Sequence, residues 1–185
     1  MSSMNSGGLF LIQVVFNLYI WIVMLRLVLQ WLRANYYNPI CQLILKLTDP
    51  ILKPLKSILP NIGSVDSAGL ILLFVLSVTK FYGIFLLASG GVFPFYAVLI
   101  PAIADLFNHL INIFFYAILF QVLLSWVAGA RHSPLQEILY VLTEPLLKRA
   151  RRVIPTIGGF DLSPIPVLIL LQLIAIVVIY PFIPA

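Results

Sequence analysis

Four apolar blocks, at residues 9–32, 68–87, 105–127 and 164–183, are separated by stretches in which apolar and charged residues alternate. Each block reaches the roughly 20 residues that a helix needs to cross the hydrocarbon of a bilayer, so each is predicted to be a transmembrane helix. The first lacks the basic start, short apolar run and small-residue cleavage site of a signal peptide and is expected to stay as a span. Residues 92–103 are apolar but broken by Pro94 and Pro101. One helix from 92 to 126 would be about 52 Å long, against a core about 30 Å thick. Residues 92–103 are therefore expected to form a separate interfacial or re-entrant piece.

Between the first two spans, Asn38-Pro39 signals a turn and residues 39–47 suit a short helix. Asp49 then reads as the N-cap of a second helix with Pro50 at its first position. In that helix Ile51, Leu52, Leu55, Ile58 and Leu59 fall on one arc, with Lys53 and Lys56 opposite. Pro54 should bend it and Pro60 end it, with Gly63 allowing the chain to reverse. Asp66 is placed to cap the next span. The stretch 128–163 repeats the pattern with more charge: Leu146, Leu147, Ala150, Val153 and Ile154 share one arc, and Lys148, Arg149, Arg151 and Arg152 the other.

The two amphipathic stretches are copies. A shift of 95 residues lays TDPILKPLKSILPNIGSVD, at 48–66, on TEPLLKRARRVIPTIGGFD, at 143–161, without a gap. Pro50 matches Pro145, Pro60 matches Pro155, Gly63 matches Gly158 and Asp66 matches Asp161, while Asp49 is matched by Glu144. A repeat in register is a duplicated structural unit. The predicted fold is thus an all-α membrane protein with four transmembrane helices in two parallel tandem repeats. Each repeat, 9–87 and 105–183, runs helix, amphipathic cytoplasmic helix, helix, and residues 88–104 form an outer connection.

Composition agrees: of 185 residues, 62% are hydrophobic and 9% charged, against about 25% charged in soluble domains. The formal charge of +5 is not that of a nucleic-acid binder, because the cations sit between apolar blocks. Arg33, Lys46, Lys53 and Lys56 lie in the first amphipathic stretch; Arg131, Lys148, Arg149, Arg151 and Arg152 lie in the second. The opposite connections, 1–8, 88–104 and 184–185, hold no cation. The positive-inside rule then puts both basic stretches in the cytoplasm and both termini outside. The single cysteine, Cys41, forms no internal disulfide and reads as an inert apolar residue.

Two copies of W…P…T-[DE]-P-[IL]-L-K…[IL]-P-x-I-G…D between apolar spans resemble the YggT family of integral membrane proteins, over nearly the whole chain. The resemblance implies a multi-pass protein of the bacterial cytoplasmic membrane. It also brings associations that differ among relatives: cofactor attachment in a plastid cytochrome complex, proximity to cell-division genes, and osmotic tolerance. It supplies no catalytic residues.

Three features are candidates for function. The basic arcs, Lys53 and Lys56 in one copy and Lys148, Arg149, Arg151 and Arg152 in the other, either dock on the anionic inner leaflet or an acidic partner, or only fix topology. Asp66 and Asp161 either cap helices or face each other across the two-fold and bind a cation or an arginine. Inside the spans, Asp105, Asn108, His109 and Asn112 share one face, and Lys80 and Asn17 enter to a similar depth. This polar level is either an ion site or interhelical hydrogen bonding. Lys80 and Asp105 are expected to pair, and Arg26 to snorkel to the cytoplasmic side. Asp105 is expected within reach of water, so loss of Lys80 alone should be mild if the pair is only structural and should abolish function if the lysine belongs to an ion path. No metal-ligand set, cofactor motif or nucleophile–base arrangement is visible. A non-enzymatic adaptor or homeostasis protein is the leading expectation, with lipid and membrane-protein partners and a homo-oligomer among its assemblies. A small transporter or channel is the alternative.

Overall fold

The computed structural model describes residues 3–59, 66–89, 94–127, 133–154 and 161–183. These residues form α1 (Ser3–Trp31), α2 (Pro39–Ile58), α3 (Ser67–Ser89), α4 (Tyr96–Val127), α5 (Pro134–Ala150) and α6 (Pro164–Ile174). A π turn (Ala175–Ile179) and a 3-10 turn (Tyr180–Phe182) continue α6. Four segments are long and apolar enough to cross a membrane: Gly7–Trp31, Ser67–Ala88, Tyr96–Ser125 and Pro164–Phe182. Pro60, Gly63, Arg131, Pro155 and Gly158, to which the sequence assigned turns and charge, lie outside the described residues.

The core forms where α1, α3 and α4 meet, around Ile20, Val23, Leu73, Ile113 and Ala117. Helices α2 and α5 pack against the ends of α1 and α4 respectively. Gly69, at the start of α3, lets α1 approach closely, since a Cβ there would lie 2.5 Å from Leu27 Cδ2 and 3.2 Å from its Cγ. Gly69→Ala should therefore destabilise the protein by about 1–3 kcal/mol despite alanine's better helix propensity. Adding Leu27→Ala should recover part of that loss, measured as thermal stability in detergent.

Helix α1 ends in a Schellman motif. Ala34 N–H donates to Leu29 O and Arg33 N–H to Gln30 O, with Arg33 itself left-handed at φ 55°. The next helix departs from expectation. Instead of a short helix and a second one capped by Asp49, α2 runs unbroken through Pro50 and Pro54. Its N-cap is Asn38, whose side chain accepts from Ile40 N–H ahead of Pro39. Each internal proline removes one backbone bond. The buried row Cys41, Ile44, Thr48 and Leu52 spans the Pro50 position and holds the helix to the bundle. Pro145 likewise lies inside α5.

The predicted single apolar arc of α2 is also divided. At about 100° per residue, buried Ile44, Thr48 and Leu52, exposed Leu43, Leu47 and Ile51, and charged Lys46, Asp49 and Lys53 form three arcs roughly 100° to 130° apart. Leu52 and Leu55 face the bundle, whereas Ile51 and Ile58 face away from it. In the second copy the helix stops at Ala150, so Val153 and Ile154 do not extend its apolar arc, and Val153 is 80% exposed. The side chain of Arg151 is drawn to two carboxylates there, and Pro155 follows, which disfavours helix just before it.

Helix α4 begins at Tyr96 and continues through Pro101, so residues 96–103 run into the third span without a break, and residues 92 and 93 of the expected separate piece lie outside the described residues. Val98 and Ala102, one turn apart, pack on Val78 and Phe81 of α3 and fix this first portion. At 32 residues, or about 48 Å, α4 outruns a bilayer core about 30 Å thick unless it tilts or projects. The fourth span loosens into its π turn just before Pro181, which has no N–H to donate.

Candidate functional site

Three groups of charges are placed by this framework. The first joins α1 to α2. Arg26 Nη1 donates to Thr48 Oγ1 at 2.5 Å and to Asp49 Oδ1 at 2.7 Å, while Lys53 Nζ lies 3.0 Å from Asp49 Oδ2. Arg26 thus turns inward and is buried; it does not snorkel. Asp49 sits on the helix as the acid of this pair, not as a cap. Burial alone would raise its carboxyl, but hydrogen bonds from Lys53 and Arg26 outweigh that and hold it below the usual range. In the other copy Gln121 and Thr143 stand 95 residues on from Arg26 and Thr48, and their side chains are paired too. Both threonines are fully buried and donate to the carbonyl four residues back, Ile44 and Leu139.

The second group closes the end of each amphipathic stretch. Lys56 Nζ is 2.5 Å from Asp66 Oδ2, and Arg151 Nε is 2.8 Å from Asp161 Oδ2. Arg151 also reaches Glu144 at 3.0 Å. Hydrogen bonding to Asp161 and Glu144 raises the guanidinium above its ordinary value despite burial. At Asp161 burial would raise the carboxyl, but hydrogen bonds from Ser163 and Arg151 prevail and lower it. The two aspartates do not face each other. Asp66 caps α3 as expected, accepting Gly69 N–H at 3.1 Å. Asp161 does not cap α6 in this way, because Pro164 stands where Gly69 does and has no N–H; Asp161 accepts from Ser163 N–H instead.

Lys53, Lys56 and Arg151 are therefore committed to carboxylates. Lys148, Arg149 and Arg152 are exposed and have no acidic partner among the described residues.

The third group lies within the spans. Lys80 Nζ is 2.5 Å from Asp105 Oδ2 and donates to Asn17 Oδ1 at 2.9 Å. Ser77 Oγ is 3.2 Å from the same carboxylate oxygen and 3.0 Å from Ala102 O. His109 Nδ1 lies 2.8 Å from Asp105 O, with Trp21 against its ring. Phe81 lies 4.8 Å from the ammonium and supplies a cation–π contact. The Lys80 and Asp105 side chains are only 4% and 9% exposed, so the pair is closed off on every side. Asn112 is apart from this cluster and donates to Asn108 at 3.1 Å.

Sequence reasoning missed Arg26, Thr48, Ser77 and a link between the copies. Asn38 Nδ2 donates to Glu137 Oε2 at 2.8 Å, and Asn35 Nδ2 to Glu137 Oε1 at 3.2 Å. The repeat offset contained a signal for part of this. Thr48 recurs as Thr143, and Glu137 stands where the first copy has neutral Gln42.

The pattern of the CCB3/YggT family matches residues 6–87 and again residues 100–182. The chain belongs to this family. Its relatives there include an uncharacterized protein in the proC 3' region of Vibrio alginolyticus, 42% identical over 170 residues and 91% of each chain. An uncharacterized protein of Pseudomonas aeruginosa is 37% identical over 97% of this chain and 91% of its own. YggT of Escherichia coli K12 is 34% identical over 89% and 85%. No solved structure matches. In this member of the CCB3/YggT family, both matched stretches contain a polar contact between a span and its amphipathic helix, and both contain a cation–aspartate pair before the returning span.

Proposed function

We infer that the protein is a non-enzymatic membrane adaptor of the bacterial inner membrane, built from two tandem units. Its amphipathic helices lie on the cytoplasmic, anionic leaflet and present a basic surface to lipid and to membrane-protein partners. Both termini are then outside. The distribution of charge left after internal pairing carries this reading. Asp49, Asp66, Glu144 and Asp161 are each bonded to a cation of their own copy, which leaves Arg33, Lys46, Lys148, Arg149 and Arg152 without acids among the described residues. Each cation near an anionic surface contributes about 1 kcal/mol. The full-length protein extracted from bilayers of equal phosphatidylethanolamine and phosphatidylglycerol should retain the anionic lipid preferentially, read by native mass spectrometry. Replacing Lys148, Arg149 and Arg152 with glutamine should abolish the preference. Equal retention of both lipids by the unmodified protein would overturn the reading.

The Lys80–Asp105 pair with His109 beside it favours a second reading, a proton or ion pathway. Proteoliposomes separate the two. An adaptor leaves the vesicles as tight as empty ones, whereas a pathway produces a flux that Lys80→Met removes.

A further inference from the structure

The surface that joins the two copies within one chain is used once, and its counterparts at either end of the chain are left open. Inside the chain, α3 and α1 pack on α4, and α1 also touches α5. Shifted by 95 residues, these contacts become α6 on α1 and α4 on α2. Among the described residues neither contact is made.

The open surfaces are apolar at the positions that the internal contact buries. On α1, Phe10, Val14 and Leu18 are exposed, Phe10 by 64%. Their counterparts Asp105, His109 and Ile113 are buried, Asp105 to 6%. On α2, Leu43 is 56% exposed and Leu47 is exposed, while counterparts Ile138 and Leu142 are buried, Ile138 to 4%. At the other end of the chain, Leu173 and Ile176 of the fourth span are exposed where Val78 and Phe81 are buried.

Lipid covers an apolar stripe without difficulty, but these stripes also carry amides. Gln13 is exposed and Gln172 half-buried, and neither has a hydrogen-bond partner among the described residues. Gln172 holds the place of Ser77, which reaches across to Asp105. Gln13 lies one turn from Phe10, the counterpart of Asp105. Amides facing hydrocarbon are costly, and a neighbouring helix that hydrogen-bonds them removes the cost.

We propose that a second copy of this chain covers these surfaces, with α6 and α4 of one copy seated on α1 and α2 of the next as α3 and α1 sit on α4 and α5. The direction of the chain fits, since α6 followed by α1 of the next copy repeats the order of α3 followed by α4. The contact is head to tail, so the two participating surfaces differ. It holds whether or not the basic face recruits lipid.

The test is disulfide trapping in native membranes on a Cys41→Ser background. Two differently tagged full-length copies are co-expressed, one with Phe10→Cys and the other with Gln172→Cys. This pair corresponds to Asp105 and Ser77, which lie 3.2 Å apart at their oxygens. Oxidation should yield a species carrying both tags. Phe10→Cys with Leu170→Cys should not, because Leu170 and its counterpart Val75 are both exposed and point away from the contact. None of the three sites belongs to the buried core, so the substitutions leave it intact. The unmodified protein in nanodiscs should in addition exceed the monomer mass. Monomers with no double-tagged species, or equal trapping by both pairs, would overturn the proposal and leave lipid as the cover.

Discussion

Asp49→Ala should destabilise the protein by about 3 kcal/mol, and Arg26→Gln by far less. The two substitutions break the same ion pair, but they leave different groups behind. Removing Asp49 strands a guanidinium whose side chain is 9% exposed and whose Nε has no partner among the described residues. Breaking a buried pair in this way falls in the range of about 3–5 kcal/mol, and the partial exposure of Asp49 sets the lower end. Removing Arg26 leaves Asp49 with Lys53 and with some access to solvent. Glutamine at position 26 also recreates what the second copy has, where Gln121 pairs with Thr143. Unfolding in detergent of both single variants measures the difference. Equal losses would mean that the guanidinium is not held by Asp49.

Lys80→Met should cost about 3–5 kcal/mol, against the mild loss that the sequence suggested. The sequence placed Asp105 near water at the end of a span. In the fold the extra turns of α4 from Tyr96 extend beyond it, and its side chain is 9% exposed among α3 and α4. Methionine at position 80 leaves that carboxylate with Ser77 and His109 but no cation within the pair. Lys80→Met combined with Asp105→Leu should restore most of the stability, because an apolar pair of similar size has no buried charge to solvate. A double variant no more stable than the sum of the singles would show that the two side chains do not interact.

The spans and the Lys80–Asp105 pair could be read from the sequence because bilayer thickness and the cost of a buried charge act on residue type and depth alone. Helix continuity could not. Pro50 and Pro101 look like breaks when only the lost backbone bond is counted. Each lies in a helix whose flanking side chains, Thr48 and Leu52 in one case and Val98 and Ala102 in the other, are buried. The inward turn of Arg26 was equally hidden. Snorkelling is the default for an isolated helix, and the acceptors that reverse it, Thr48 and Asp49, come from a helix that the sequence had divided at that point. The reading of Asp161 as a cap failed at one neighbour, because Pro164 replaces the glycine that makes Asp66 a cap. What faces α2's second apolar stripe is a matter of assembly, which one copy of a sequence does not encode in its periodicity.

The position of Lys80 bears on the order in which the protein enters the membrane. Arg26 and Lys56 find their acids within the first 66 residues, so both are paired before α3 is made. Lys80 does not. When α3 leaves the translocation machinery its ammonium has Asn17 as a companion from an earlier span, but the carboxylate that neutralises it is 25 residues further along the chain and still unsynthesised. The third helix is therefore a reluctant segment on its own and a favourable one as half of a hairpin. Insertion of α3 should wait for α4, and a nascent chain halted before Asp105 should hold α3 at the channel.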